Sequence, residues 1–524
     1  RRVGERSCVV ITARYHLGEL ETAVEAAAVE LAAADAVTRL WGRDHTLFQE
    51  DPADCANRLG WLDSPTESSD VWDGLVAFAA EIAGESDDVV LMGMGGSSLF
   101  PEVLTRTFGS AEGFPNLHVI DSTDPDAVRR VLDATDPART FHVASSKSGT
   151  TLETRSHLDL FWERSGDPDR FAVITDPGSA LGELARARGF RHVFENNPDI
   201  GGRYAALSLF GMVPAALIDA DGDAILEAAL DMADALEPLG DGDDADGNIG
   251  LRLGAAFGAA ARAGRDQLTI VLTPALESFG LWLEQLVAES TGKHGDGIIP
   301  IVGEPIPDVC ATPDRRLLVT IGDVEGIAEL RASGAPLIEL SLEELHDVGA
   351  QVLLWEVAVA LAGKVLGINP FDQPDVEAAK AAARELLDAD APPAPPVTPL
   401  ADALAAIGPG DLLAVCAFVD PGSDVADDLE EFRSSTARRL GVASTLGFGP
   451  RFLHSTGQLH KGGPASIVVV QVCSDPADGH DLEIPGQTFT FGAFKAAQAA
   501  GDLAALHASG HRAFRVSLEE ISRG

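Results

Sequence analysis

From residue 13 to 66 apolar side chains fall at alternating steps of three and four. Leu17, Leu20, Val24, Ala27 and Leu31 therefore share one helix face, and the segment is predicted to be mostly helical, with a turn-rich passage through Asp51-Pro52. From Asp70 the rhythm changes. Short apolar runs at Val89–Met92, Leu117–Ile120, Thr140–Ala144 and Phe171–Thr175 alternate with helical patterns, as parallel strands joined by crossover helices do. A long helical passage from about Arg203 to Leu236 follows, ending in the acidic loop Gly240-Asp241-Gly242-Asp243-Asp244. A second set of strand-like runs begins at Leu268–Leu272 and continues through Leu317–Thr320 and Leu337–Leu340. Ala391-Pro392-Pro393-Ala394-Pro395-Pro396 reads as a stiff linker, and strands are expected beyond it at Leu412–Ala417, Ser466–Val472 and near Phe514–Val516. No short-period repeat is present, but two similar α/β halves are. The expected architecture is α/β: an N-terminal helical segment over 1–66, then two lobes over 67–240 and 245–524, each a mainly parallel sheet flanked by helices. The Pro-rich linker, near 391–397, falls inside the second lobe.

Length and composition agree with this picture. The chain has 524 residues, 45% hydrophobic and 23% charged, enough for several well-buried cores in a soluble globular protein. Its 38 basic and 82 acidic side chains give a formal charge of −44, which argues against a broad nucleic-acid or anionic-membrane surface. The same charge repels an anionic substrate at long range, so any phosphate site must rely on local dipoles and a few placed cations. Such acidity fits either a salty cytoplasm or a solubility bias. Cys8, Cys55, Cys310, Cys416 and Cys473 are odd in number and form no C-x-x-C pair, which argues against a disulfide framework or a zinc site. Tyr204–Ile218 is too short to span a membrane, and Val352–Ile368 carries Glu356 and Lys364. A cytoplasmic protein is expected. The chain starts at Arg1 with no Met, which reads as a processing boundary.

Candidate chemistry gathers at a few turns. Ser145-Ser146-Lys147-Ser148-Gly149-Thr150-Thr151-Leu152-Glu153-Thr154 joins an apolar strand to a helix. Free backbone N–H groups, hydroxyls and the positive helix end would meet there, a setting that suits a phosphate monoester. A polar turn whose hydroxyls merely cap the helix explains it equally well when read alone. Gly93-Met94-Gly95-Gly96-Ser97-Ser98 ends the first strand with glycines that let the backbone approach a ligand. It is not a dinucleotide fingerprint, because Ser98 stands at the third required glycine. Gly201-Gly202-Arg203-Tyr204 offers a cation that can stabilise charge developing on an oxygen or simply pair with a carboxylate. In Glu284–Lys293, Gln285 and Glu289 are four apart on one helix face, and Gly292 ends the helix. The negative helix end makes Glu289 a stronger base. Asn369-Pro370-Phe371-Asp372-Gln373-Pro374 leads into a helix carrying Lys380, and Leu453-His454-Ser455-Thr456-Gly457-Gln458-Leu459-His460-Lys461-Gly462-Gly463 places a histidine in a polar, glycine-bounded loop. Four of the six lysines, at 147, 293, 380 and 461, fall in these motifs.

Together these motifs resemble the glucose-6-phosphate isomerase family, the two-lobed member of the sugar isomerase (SIS) fold, over about residue 70 to the C-terminus. The resemblance implies that Ser97, Ser146, Ser148 and Thr151 hold the phosphate, with Lys147 in the same loop and Gly96 in the neighbouring one. It implies that Gln285 and Gln373 contact the sugar phosphate, Glu289 moves the proton between C2 and C1, and Arg203 stabilises a cis-enediol(ate). His454, with Lys380, would open the hexose ring. Neither metal nor other cofactor is required. In the usual family order the His-bearing segment lies between the Glu and Lys motifs, whereas here it follows both. The chain therefore looks rearranged, as in the isomerase part of bifunctional transaldolase/glucose-6-phosphate isomerase proteins, and an upstream transaldolase is expected in a full-length protein. The rearrangement leaves His460 as the reserve for His454. A homodimer is expected, with the acid/base histidine able to cross its interface, and no nucleic-acid or membrane partner. Two rivals stand beside this reading: an isomerase that also accepts mannose 6-phosphate, and a sugar-phosphate-binding regulator without catalysis.

Overall fold

The computed structural model of the chain describes residues 11–238, 247–387, 396–474 and 480–522, with the side chains of 377–380 outside the description. The acidic loop and most of the Pro-rich linker lie outside the described residues. Strand β1 (Ala13–His16) is the first element among the described residues. Strands β2 (Asp88–Met92), β3 (Asn116–Ile120), β4 (Thr140–Ser145), β5 (Phe171–Thr175) and β6 (His192–Glu195) form an all-parallel sheet in the order β3-β2-β4-β5-β6. Central β4 is buried throughout, which is why its sequence reads as a continuous apolar run. Strands β7 (Gln267–Leu272), β8 (Ile299–Ile301), β9 (Arg316–Ile321) and β10 (Leu337–Leu340) make a second sheet, ordered β1-β10-β9-β7-β8. Strand β1 pairs antiparallel with β10, and the other pairings in this sheet are parallel.

The stretch assigned above to a single second lobe builds two sheets. Beyond the linker, β11 (Leu412–Phe418), β12 (Ala443–Phe448), β13 (Ile467–Cys473) and β14 (Arg512–Arg515) form a four-stranded parallel sheet in the order β12-β11-β13-β14. The α/β class with mainly parallel sheets is as expected. Two details refine the helical stretches. Within the mostly helical N-terminal segment, Ala13–His16 adds a strand to the second sheet. The helical passage from Arg203 to Leu236 is built of a short turn over Gly202–Tyr204 and helices Leu209–Leu217 and Gly222–Leu236. Asp219 between them takes φ 55°, a left-handed turn that no α-helix can pass through.

Helix Val348–Leu366 is long and apolar enough to cross a membrane, yet it is the buried core helix of the fold, with all but Lys364 and Leu366 out of contact with solvent. The third sheet is fastened to the first by charged pairs. Lys495 on helix Phe491–Ala508 meets Asp124 at 2.8 Å, both buried, Arg451 meets Asp121 at 2.7 Å, and Arg130 meets Asp420 at 2.6 Å. That docking brings the third sheet's loops over the C-terminal ends of β2 and β4.

Candidate active site

The buried β4 delivers the chain into Ser146–Thr151, and helix Leu152–Ser165 leaves it. Gly149 takes φ +68°, and a Cβ there would lie 2.4 Å from the Leu181 nitrogen, so the turn needs glycine. The Ser146 and Thr151 hydroxyls are 3.1 Å apart, and those of Ser148 and Thr150 are 2.9 Å apart. Thr151 sits at the helix N-cap without capping it, so first-turn N–H groups and hydroxyls face the same space. Lys147 lines that space too, but its ammonium is held by Asp176 at 2.5 Å and donates to the Pro198 carbonyl at 2.6 Å. The glycine loop after β2 closes the floor. A Cβ on Gly96 would fall 1.8 Å from the Gly202 carbonyl oxygen, so this loop and the Arg203 turn touch backbone to backbone.

Helix Phe279–Thr291 supplies Gln285 and Glu289, both buried and on one face as their spacing predicts. Gln285 Nε2 donates to Glu289 Oε2 at 3.1 Å and to the His454 carbonyl at 2.9 Å. Arg203 Nε lies 3.3 Å from the same Glu289 oxygen. The rest of that guanidinium donates to the carbonyls of Pro370 and Asp372 and to Gln373 Oε1, each at 3.1 Å. Base candidate, cation and both glutamines are thus one connected group.

His454 ends a short helical turn, Arg451–His454, that follows β12. Arg451, bonded to Asp121, fixes the start of this turn against the first sheet. His454 Nε2 is 2.9 Å from Glu153 Oε1, which also accepts from Gln498 Nε2 at 2.7 Å. His460 points elsewhere, into the third sheet's core beside Cys416 Sγ at 3.8 Å. Burial, with the charge of Lys461 close by, pulls its pKa down to about 3, so it stays neutral at working pH. The structure thus places His454, not His460, at the cleft.

These groups line one cleft of about 480 Å³. Gly96, Ser97, Ser146, Lys147, Ser148, Thr151, Arg203, Gln285, Glu289, Gln373 and His454 all lie on its wall. Lys380 is carried by helix Val376–Leu387, and its side chain lies outside the described residues. Sequence reasoning assigned no role to Glu153, although it stands in the first turn after the hydroxyl loop, nor to Gln498, whose helix reads as plain core. Among the described residues no cluster of three or more His, Cys, Asp or Glu side chains could hold a metal ion.

Residues 70–298 match the family model of phosphoglucose isomerase. A glucose-6-phosphate isomerase of Symbiobacterium thermophilum is 28% identical over 399 residues, covering 64% of this chain and 88% of that protein. One from Thermosynechococcus vestitus is 30% identical over 361 residues, 59% of this chain and 67% of its own length. The crystal structure of a glucose-6-phosphate isomerase from Chlamydia trachomatis shares the fold with a TM-score of 0.62 at 19% identity, covering 72% of this chain and 88% of that one. The family match runs unbroken through the glycine loop, the hydroxyl loop, the Arg203 turn and the Glu289 helix, and the chain belongs to the phosphoglucose isomerase family.

Proposed function

We propose that the chain interconverts glucose 6-phosphate and fructose 6-phosphate through a cis-enediol intermediate. The observation that carries this reading is the buried Glu289 carboxylate 3.3 Å from the Arg203 guanidinium, in a cleft whose far wall is the hydroxyl loop. Aldose–ketose exchange needs a base for a C–H proton alpha to a carbonyl, a cation for the enediolate oxygen and a clamp on the non-reacting phosphate. Ser146, Ser148, Thr151 and Ser97 hold the phosphate with the helix end behind them. His454, supported by Lys380, opens the ring by moving a proton between the ring oxygen and O1. Glu289 takes the C2 proton and returns it to C1, while Arg203 balances the charge on the oxygen. Gln285 and Gln373 keep the open chain in register. The reaction is an internal redox exchange, so it needs no cofactor. A homodimer in the cytoplasm is the setting we favour, in line with the free thiols of Cys55, Cys310, Cys416 and Cys473.

The test is turnover of fructose 6-phosphate by the parent and by Glu289→Gln, each checked for folding and for substrate binding. The parent should turn over, and the variant should bind normally while losing activity on the order of 10² to 10⁴-fold. A parent that binds sugar phosphate without isomerising it would hand the site to the regulator reading. Mannose 6-phosphate, offered in the same assay, decides the breadth of the substrate range.

A further inference from the structure

We propose that Lys293 is a positioning residue for the reaction: as a charged ammonium it grips the loop over residues 369–373 from behind and so sets Arg203 and Gln373 against Glu289. The inference rests on the isomerase reading above. Lys293 follows Glu289 by four residues, immediately past the Gly292 that ends the helix. It is wholly buried (0% exposed), and its Nζ forms an ion pair with Asp372 Oδ1 at 2.6 Å and donates to the Asn369 carbonyl at 2.5 Å. A lysine is buried this completely only where specific partners replace its water.

Those partners lie on the loop that Arg203 holds from the other side, through Pro370 O, Asp372 O and Gln373 Oε1. One short loop is therefore clamped between two cations, and one of them faces the Glu289 carboxylate. Loss of the rear cation would let the loop shift, and Arg203 would shift with its acceptors. The hydroxyl loop makes none of these contacts, so capture of the phosphate end of the substrate is separable from the clamp.

Charged groups from each neighbouring segment act on Lys293. Burial, first, and then the Arg203 guanidinium favour loss of its proton, whereas Asp372 and Glu289 favour keeping it. The balance brings its pKa down to about 7. The Cys55 thiol, also near Lys293 and Asp372, is pushed up to about 12 by burial and stays neutral. The clamp is thus closed below the lysine pKa and weakens as pH rises through it.

The experiment is kcat and KM for fructose 6-phosphate across neutral and alkaline pH, for the parent, Lys293→Met and Asp372→Asn, with folding followed by circular dichroism. The parent should show a fall in kcat on the alkaline side. Asp372→Asn removes a charge that keeps the proton on, so the fall should move to lower pH. Lys293→Met should lose the pH-dependent fall and drop kcat on the order of 10²-fold, as a slight misplacement of catalytic groups does, with KM changed far less. If Lys293→Met does not fold, the direction of the Asp372→Asn shift decides alone. An alkaline fall at the parental pH in Asp372→Asn, or an unchanged kcat in a folded Lys293→Met, overturns the proposal. A parent without turnover refutes the isomerase reading, and the inference falls with it.

Discussion

Glu153 illustrates how much one carboxylate decides. It accepts Gln498 Nε2 at 2.7 Å and lies 2.9 Å from His454 Nε2, so one oxygen fixes which way the imidazole faces. A histidine that shuttles a ring-opening proton needs a defined tautomer, and the partner of its other nitrogen sets it. Replacing Glu153 by Gln keeps the volume but removes the charge and one of the two identical acceptors. Anomerisation of glucose 6-phosphate, which reports ring opening alone, should then slow on the order of 10²-fold. The Glu289→Gln variant, expected to fail in C–H proton transfer, should still anomerise its substrate. Measuring anomer exchange by NMR separates the two, and parental exchange in Glu153→Gln would remove the Glu153–His454 pair from ring opening. At this scale the sequence spoke clearly about residue types and less about partners. Glu289 and Gln285 share a face because a helix has a fixed period, whereas the Glu153–His454 pair joins positions that only the docking of two sheets brings together. Lys147 shows the converse: its place in the hydroxyl loop is legible, but its engagement with Asp176 and Pro198 depends on segments distant in the sequence.

Among elements, every central strand was readable, whereas of the edge strands only β3 and β14 were. Strands β4, β9 and β11 are buried over their whole length and so appear as unbroken apolar runs. Strands β1, β6, β8 and β12 escaped notice, and each lies at the edge of its sheet, where one side needs no apolar cover or the strand is only a few residues long. The break at Asp219 falls in Asp219-Ala220-Asp221-Gly222, a run of turn residues whose Asp221 side chain caps the second helix. Contacts between loops are the least legible, and they build the site. The approach of the glycine loop to the Arg203 turn leaves no room for a single methyl group, as a Cβ at Gly96 would sit 1.8 Å from the Gly202 oxygen. Gly96→Ala must therefore push the two backbones apart. Destabilisation of about 1 to 3 kcal/mol is expected from the overpacking. The loss in kcat/KM should be larger, on the order of 10²-fold, because Arg203 moves with its turn. Thermal unfolding and kinetics on the same sample check both, and full activity in a folded Gly96→Ala would show that the Arg203 turn tolerates displacement.

For the whole molecule, the arrangement answers two constraints set by the sequence. A chain of formal charge −44 cannot attract a sugar phosphate at long range, and the cleft presents hydroxyls, backbone N–H groups and a helix end rather than a field of lysines. The segment bearing His454 comes after the Glu289 and Gln373 segments in the chain, yet it stands over the same cleft. Buried contacts inside one chain hold it there: Lys495 with Asp124, Arg451 with Asp121, and Gln498 with both Thr123 and Glu153. Breaking a buried pair by removing one partner costs about 3 to 5 kcal/mol, so this docking is not loosely held. His454 and Glu289 of the same chain therefore line the same cleft. If both groups act as proposed, His454→Ala and Glu289→Gln should then fail to rescue each other when unfolded and refolded together, because each cleft draws both groups from its own chain. Exchange of the third sheet between subunits would instead leave some clefts with neither substitution, and a mixed pair would regain a substantial fraction of parental turnover. Kinetics of the refolded mixture against each variant refolded alone distinguish the two outcomes, and recovery of activity would place His454 in the neighbouring subunit's cleft.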